Sequence, residues 1–337
     1  MKFIIAIILS LFAYSLSAQQ TDYIELFEDI IKKIEREYIW HTSQKTLIEY
    51  AVENMLDKLK SELGNKEFTV SSVSDPGEIE YFEEVLAQIE GEYSNLIDQK
   101  TLVEYAIAGI FSKLDSYSYY ISSEEFKKMQ LQALGFNSVS TKVVDDIAYI
   151  KISEFNESTF NHFRRQWLNI KENNSTVKGI ILDLRDNHGG LFSQAILICN
   201  SLLDGGKIVT VESRGKKHYN ASKGDMFSGL PVIVLINEKS ASASEIVSAV
   251  LQSNKRAKIV GIRSYGKASG QTIFPLKNGD MISITNKLYR LPSGKLITGV
   301  VPDVVVISQN DGQDHQLTKG IEILNSMYSQ VNLGLLK

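Results

Sequence analysis

Residues 231–253 read PVIVLINEKSASASEIVSAVLQS. An aliphatic run, Pro231–Asn237, stops at a polar turn, and the chain restarts in a second apolar stretch that predicts a helix over 242–253. A buried strand feeding a helix through a short turn is the building unit of α/β proteins. Working outward, β-branched runs recur at Ile147–Ile152, Val177–Leu184, Ile208–Val211, Lys258–Ile262, Thr272–Leu276 and Met281–Thr285. Helical stretches fall near 158–172 and 191–204, and a last one near 316–329. This alternation predicts an α/β domain over 146–337 with a largely buried sheet. Asn278-Gly279 marks a hairpin between the last two runs, and Pro292-Ser293-Gly294 marks another turn.

Upstream the pattern is helical and duplicated. Residues 24–59 align with 79–114 at a constant offset of 55, with 17 of 36 positions identical. Each copy carries apolar residues at helical spacing, Phe27, Ile30, Ile31, Ile34 and Tyr38 in the first, Phe82, Val85, Leu86, Ile89 and Tyr93 in the second. Each restarts at a capping-box pattern, Thr46-x-x-Glu49 or Thr101-x-x-Glu104. Residues 21–115 therefore read as a duplicated all-α arm of two helical hairpins, joined by Ser71–Gly77, serving packing or pairing of two copies into a homodimer. Residues 116–145 read as a connecting segment.

The balance of 36 basic and 40 acidic residues excludes a nucleic-acid surface and a disordered acidic tail. The opening MKFIIAIILSLFAYSLSAQQ has a cationic start at Lys2, an apolar run from Phe3 to Leu16 and small residues at Ser17-Ala18. That is the pattern of a secretory signal over 1–18, too short to span a bilayer, and it implies an exported protein, periplasmic or extracellular. The single cysteine, Cys199, sits in an apolar run, which makes an intramolecular disulfide impossible and a buried small hydrophobe the expected role. Five histidines show no ligand spacing, so no metal or other cofactor is expected.

Three segments carry possible chemistry. Ser240-Ala241-Ser242-Ala243-Ser244-Glu245 lies where a strand hands over to a helix. A hydroxyl there projects at the carboxyl edge of the strand, and the unpaired N–H groups of the first helical turn favour an oxyanion. Ser240 and Ser244 also read simply as caps. Tyr265-Gly266-Lys267-Ala268-Ser269-Gly270-Gln271 places a lysine between glycines. An ordinary lysine, with a pKa of about 10.4, is protonated at neutral pH, so a role as base requires a poorly solvated cleft. The carbonyl of Gln271 suits a neutral amine better than a carboxylate does. Asp183–Leu191 (DLRDNHGGL) is a strand-to-helix turn whose Gly-Gly pair exposes N–H groups, and it matches no nucleotide-binding loop.

Together, GIILDLRDNHGGL, VIVLINEKSASASEIVSAVLQ, VGIRSYGKASGQT and the late GVVPDV resemble the catalytic domain of the S41 peptidases, the carboxyl-terminal processing or tail-specific proteases. The likeness spans roughly 110–306. It implies a crotonase-like twisted mixed sheet with flanking helices, and a serine peptidase acting on polypeptides near their C-termini in the cell envelope. Carried over residue by residue, it makes Ser242 the nucleophile, Lys267 the base and Gln271 the residue that orients the lysine. The oxyanion donors become the N–H groups of Ala243 and Gly189.

Three features depart from the family pattern. Only 17 residues separate Met129 from Ile147, too few for the PDZ domain that the family usually carries there, which leaves tail capture without its usual module. His188 stands where the family often has proline or serine, and Ser253 where some members have aspartate. Two other readings remain open: a non-catalytic ligand- or peptide-binding module on the same fold, and a hydrolase with His188 or His162 as base, although the G-x-S-x-G elbow is absent.

Overall fold

The computed structural model describes residues 22–64, 70–71, 74–75, 78–133, 137–174, 176–309 and 311–332. The signal-like segment and part of the Ser71–Gly77 linker lie outside the described residues. The chain forms two compact units, Met1–Phe126 with Ile273–Ile284, and Lys127–Thr272 with Thr285–Lys337.

Among the described residues, the first unit holds helices α1 Tyr23–Glu37, α2 Gln44–Glu62, α3 Ile79–Tyr93 and α4 Gln99–Lys113. The duplication is visible as a pseudo-symmetric core. Phe27 and Phe82, equivalent in the two repeats, stack with ring centroids 3.8 Å apart. Asn54 and Gly109, also equivalent, meet where α2 crosses α4, and Asn54 Nδ2 donates to the carbonyl of Tyr105 at 2.7 Å. A Cβ on Gly109 would stand 2.5 Å from both Asn54 Cβ and the Tyr50 carbonyl oxygen, so the close crossing requires glycine.

The expected capping boxes are corrected. α2 and α4 begin one turn earlier than the Thr-x-x-Glu pattern implied, capped by Ser43 and Asp98, which accept the N–H of Thr46 and Thr101. Ser and Asp present a short acceptor one turn ahead, and each threonine is left as the third helical residue. Strand β1, Tyr119–Ile121, follows the arm and pairs antiparallel with residues 281–283. Helix α5, Ser123–Ala133, comes next.

The second unit is built on a six-stranded sheet. Its strands are β2 Val139–Val144, β3 Ile147–Ile152, β4 Gly179–Asp183, β7 Val232–Ile236, β8 Lys258–Gly261 and β11 Val304–Val305, in the order β11-β8-β7-β4-β3-β2. All neighbours are parallel except β2 and β3. Helices α6 Thr159–Asn173, α7 Phe192–Leu202 and α8 Ala243–Ser253 connect the strands, and α9 His315–Asn332 ends the described chain. Ile180 and Leu182 of β4 join one core with Phe163, Trp167, Ile198 and Val250, whereas Ile181 joins another with Ile233, Leu235, Val260 and Leu324. Burial on both faces is why these strands read as unbroken apolar runs. Strand β5 Gly206–Glu212 pairs antiparallel with β6 Lys216–Ala221 and with residues 288–290, and β9 Ser269–Pro275 and β10 Met281–Arg290 form the expected hairpin across Asn278-Gly279.

Strand β2 falls within the segment expected to be a plain connection. It pairs with β3 over six residues through a turn at Asp145 and Asp146, both at positive φ (51° and 62°). The edge strand is half polar, so it lacks the apolar run that marked the others. Edge strand β6 (KKHYNA) is exposed at four of its six residues, with Tyr219 and Ala221 partly buried, and it lacks an apolar run for the same reason.

Candidate active site

Three adjacent parallel strands, β4, β7 and β8, release their chains at the same carboxyl edge. β4 leads into the Gly-Gly turn, β7 into the serine turn and β8 into the lysine loop. Topology alone therefore brings the three predicted segments to one place, as the carboxyl edge of an open parallel sheet does for ligands generally.

The first two segments are laced together. Ala241 N–H donates to the Asn187 carbonyl at 3.0 Å, and Ser244 Oγ donates to the same oxygen at 3.0 Å. Ser240 Oγ donates to the Leu184 carbonyl at 2.8 Å. Ser240 and Ser244 are thus structural, in line with one reading of the run. Gly189, at φ 105°, lies directly against the serine turn. A Cβ there would stand 2.8 Å from Ser242 Cβ and from the Ala241 carbonyl oxygen, and 3.1 Å from the Ala243 nitrogen. No other residue type fits at that distance without displacing the turn.

Ser242 is the residue immediately before α8 and has φ 53° and ψ −111°, a sparsely populated conformation for a residue with a Cβ. Its carbonyl accepts the Ile246 N–H at 3.0 Å, and its own N–H donates to Oε2 of Glu245 at 2.8 Å. The strained backbone is held at both ends, and the side chain is half-buried at the helix N-terminus.

Lys267 is half-buried in the loop after β8. Its N–H donates to the same Oε2 of Glu245, at 2.9 Å. One carboxylate oxygen therefore holds the main chain of Ser242 and of Lys267, and their separation is bounded by those two short bonds. Gln271, in β9, donates through Nε2 to Thr285 Oγ1 at 3.0 Å and to Ser269 Oγ at 3.2 Å. These contacts anchor the Gln271 amide beside two hydroxyl groups, each able to donate or accept.

Two observations differ from the sequence expectation. The Gly189 N–H, expected as an oxyanion donor, is donated to Oδ1 of fully buried Asn187 at 2.8 Å. Asn187 is drawn in because its Nδ2 donates to the Ile152 carbonyl, which turns Oδ1 toward the glycine. The second is Glu245, which the sequence reading passed over. It has no exposed surface and accepts four hydrogen bonds. Its signal was in the sequence, as Ser242-x-x-Glu245, a capping-box spacing. A further lysine, Lys287 of β10, donates to Thr272 Oγ1 at 2.6 Å, and burial lowers its pKa. His188 is exposed.

Compared with known proteins, the model of peptidase family S41 matches residues 146–306. A carboxy-terminal-processing protease of Bartonella bacilliformis is 42% identical over 178 residues, 50% of this chain and 41% of that protein. A chloroplastic C-terminal processing peptidase of Tetradesmus obliquus is 33% identical over 162 residues, 47% of this chain and 34% of that one. The chain thus spans 34–41% of the length of these two curated relatives. Among solved structures, the photosystem II D1 C-terminal processing protease aligns with a TM-score of 0.58 at 16% identity, over 91% of this chain and 98% of that one. A lipoprotein from Streptococcus agalactiae aligns with a TM-score of 0.60 at 17% identity, over 93% and 99%. These two share the fold. Over residues 146–306, which include the Gly-Gly turn, the serine turn and the lysine loop, the chain matches peptidase family S41.

Proposed function

We propose that the chain is an exported serine endopeptidase with Ser242 as nucleophile and Lys267 as general base. The observation that supports this most is the shared Glu245 oxygen, which keeps the backbones of the two residues side by side. In the reaction, Ser242 Oγ attacks the scissile carbonyl carbon while the neutral Lys267 amine takes the hydroxyl proton. The tetrahedral oxyanion is stabilised by the Ala243 N–H at the start of α8, joined by the Gly189 N–H when that amide leaves Asn187. The intermediate collapses, the C–N bond breaks, and the lysine proton passes to the leaving amine. Water then attacks the ester, again giving a proton to the lysine, and Ser242 is regenerated. Gln271 holds the amine through its carbonyl oxygen.

The substrates are exported polypeptides cut near their C-termini. The signal-like residues 1–18 support export, and the names of the Bartonella and Tetradesmus relatives support the position of the cut. Among the described residues no helix is long and apolar enough to cross a membrane.

The test is to incubate the protein lacking residues 1–18 with an unstructured polypeptide and identify products by mass spectrometry. Ser242→Ala and Lys267→Ala are each expected to lower turnover by on the order of 10³-fold or more, as in other serine peptidases. Cleavage by Ser242→Ala at the parent rate sinks the proposal. A binding module on this fold is distinguished by its failure to react with a phosphonate probe at Ser242. A histidine base is distinguished by a His188→Gln variant that is dead while Lys267→Ala remains active.

A further inference from the structure

We infer that Glu245 is a positioning residue that couples the nucleophile turn to the base loop, an inference resting on the Ser242–Lys267 reading above. Its carboxylate is fully buried and bonded to four neutral donors. Oε2 accepts the N–H of Ser242 at 2.8 Å and of Lys267 at 2.9 Å. Oε1 accepts the N–H of Gly266 and the hydroxyl of Ser264, both at 2.6 Å. Ser264 Oγ in turn accepts the Val300 N–H at 2.7 Å, which brings the GVVPDV segment into the same cluster.

A helix cap explains only part of this. A glutamate at the third position of a helix is expected to accept the N–H of the cap residue, here Ser242, and nothing more. The other three bonds all reach across to residues 264–267, the loop that carries the base. A buried carboxylate with unfilled lone pairs is costly, so the donors from both loops are needed to keep it there, and each loop is held in place by the other through it. The two loops come from different strands and share no covalent constraint. Their register decides the Oγ–Nζ distance, and proton transfer is sensitive to that distance: a misplacement of about 1 Å costs on the order of 10²-fold in rate.

The side chain has no substitute of equal geometry. Glutamine keeps the size but offers one acceptor oxygen, and its NH₂ group faces two of the four donors. Aspartate is shorter by one methylene. Glu245→Gln is therefore expected to lower kcat by on the order of 10²-fold while KM stays within about 3-fold, because the lost interaction matters when the proton moves.

The experiment is a double-mutant cycle between Glu245→Gln and Lys267→Ala. It is read as the rate of phosphonate labelling of Ser242 by intact mass, which reaches slow variants, alongside kcat and KM. Glu245→Gln is expected to slow labelling about 100-fold in the parent and under about 3-fold in Lys267→Ala, since without the base there is no register to lose. Equal factors in both backgrounds, or a Glu245→Gln variant with parental kcat, overturn the inference. Thermal melting and circular dichroism accompany each variant. If Glu245→Gln does not fold, Ser264→Ala removes one of the four donors to Glu245, together with the acceptor of the Val300 N–H, and is expected to cost about 3–10-fold with the same dependence on Lys267. A fully active Lys267→Ala is a different result, and it refutes the Ser/Lys reading itself.

Discussion

At the scale of single residues, the site depends on how closely backbones approach. Gly189→Ala adds a Cβ at φ 105°, 2.8 Å from the Ala241 carbonyl oxygen and Ser242 Cβ. The strain of such a conformation is of order 1–3 kcal/mol, and the turn carrying Ser242 must move to admit the methyl. The expected outcome is a loss of that size in denaturant-derived stability and more than a tenfold fall in kcat/KM. A variant with parental melting and turnover contradicts this geometry. Ser242, Ala243, Lys267 and Gln271 are candidates from the sequence because their spacing resembles a known family. Asn187 and Glu245 were not singled out, since what makes them matter is which atoms of distant segments they bond. The Ser-x-x-Glu spacing shows the limit of local reading. The same pattern failed at Thr46 and Thr101, where Ser43 and Asp98 cap instead, and at Ser242 it coincides with a Glu245 carboxylate that accepts the cap N–H.

At the scale of elements, the duplicated arm gives a sharp contrast between two helical glycines. Gly91 in α3 has open space where a Cβ would be, so Gly91→Ala is expected to stabilise the protein by about 0.5–1 kcal/mol through helix propensity. Gly109→Ala in α4 has the same propensity gain but drives a methyl into Asn54 and the Tyr50 carbonyl, and a net destabilisation of about 1–3 kcal/mol is expected. Chemical denaturation of both variants measures the difference, and equal effects count against the pseudo-symmetric crossing. Strand placement followed burial: fully buried β4 and β7 announced themselves as aliphatic runs, whereas edge strands β2 and β6 did not. Two consecutive aspartates at positive φ, Asp145 and Asp146, were the available sign of the β2–β3 hairpin.

At the scale of the whole molecule, the main core of the second unit keeps Cys199 fully buried, and burial raises its thiol pKa. The native protein is therefore expected to be inert to a disulfide-exchange reagent and to yield one reactive thiol on denaturation. Prompt labelling of the folded protein contradicts this packing. The C-terminal helix supplies a pH-dependent term. Arg185 bridges buried Asp183 and Asp314, and Asp314 accepts the Leu317 N–H at the start of α9. The bond to Arg185 holds the Asp314 carboxyl below the usual aspartate range. A depressed carboxyl stabilises the fold above its unfolded pKa of about 3.9, and the contribution is lost as pH falls through the folded value. Asp314→Asn is expected to melt slightly lower at neutral pH, modestly because the pair is partly exposed, and to lose less stability on acidification. Parallel melting curves of the variant and parent across pH 7 to 3 provide the check.

By itself the sequence determined the α/β class, the buried strands with the helices between them, the repeat and the segments proposed to carry chemistry. These depend on hydrophobic period, turn chemistry and spacing, which are local along the chain. The tertiary structure alone decided that β4, β7 and β8 lie adjacent and parallel, that Gly189 abuts Ser242, and that one buried carboxylate joins the serine turn to the lysine loop. Those facts are contacts between residues far apart in the chain, and no local periodicity encodes them.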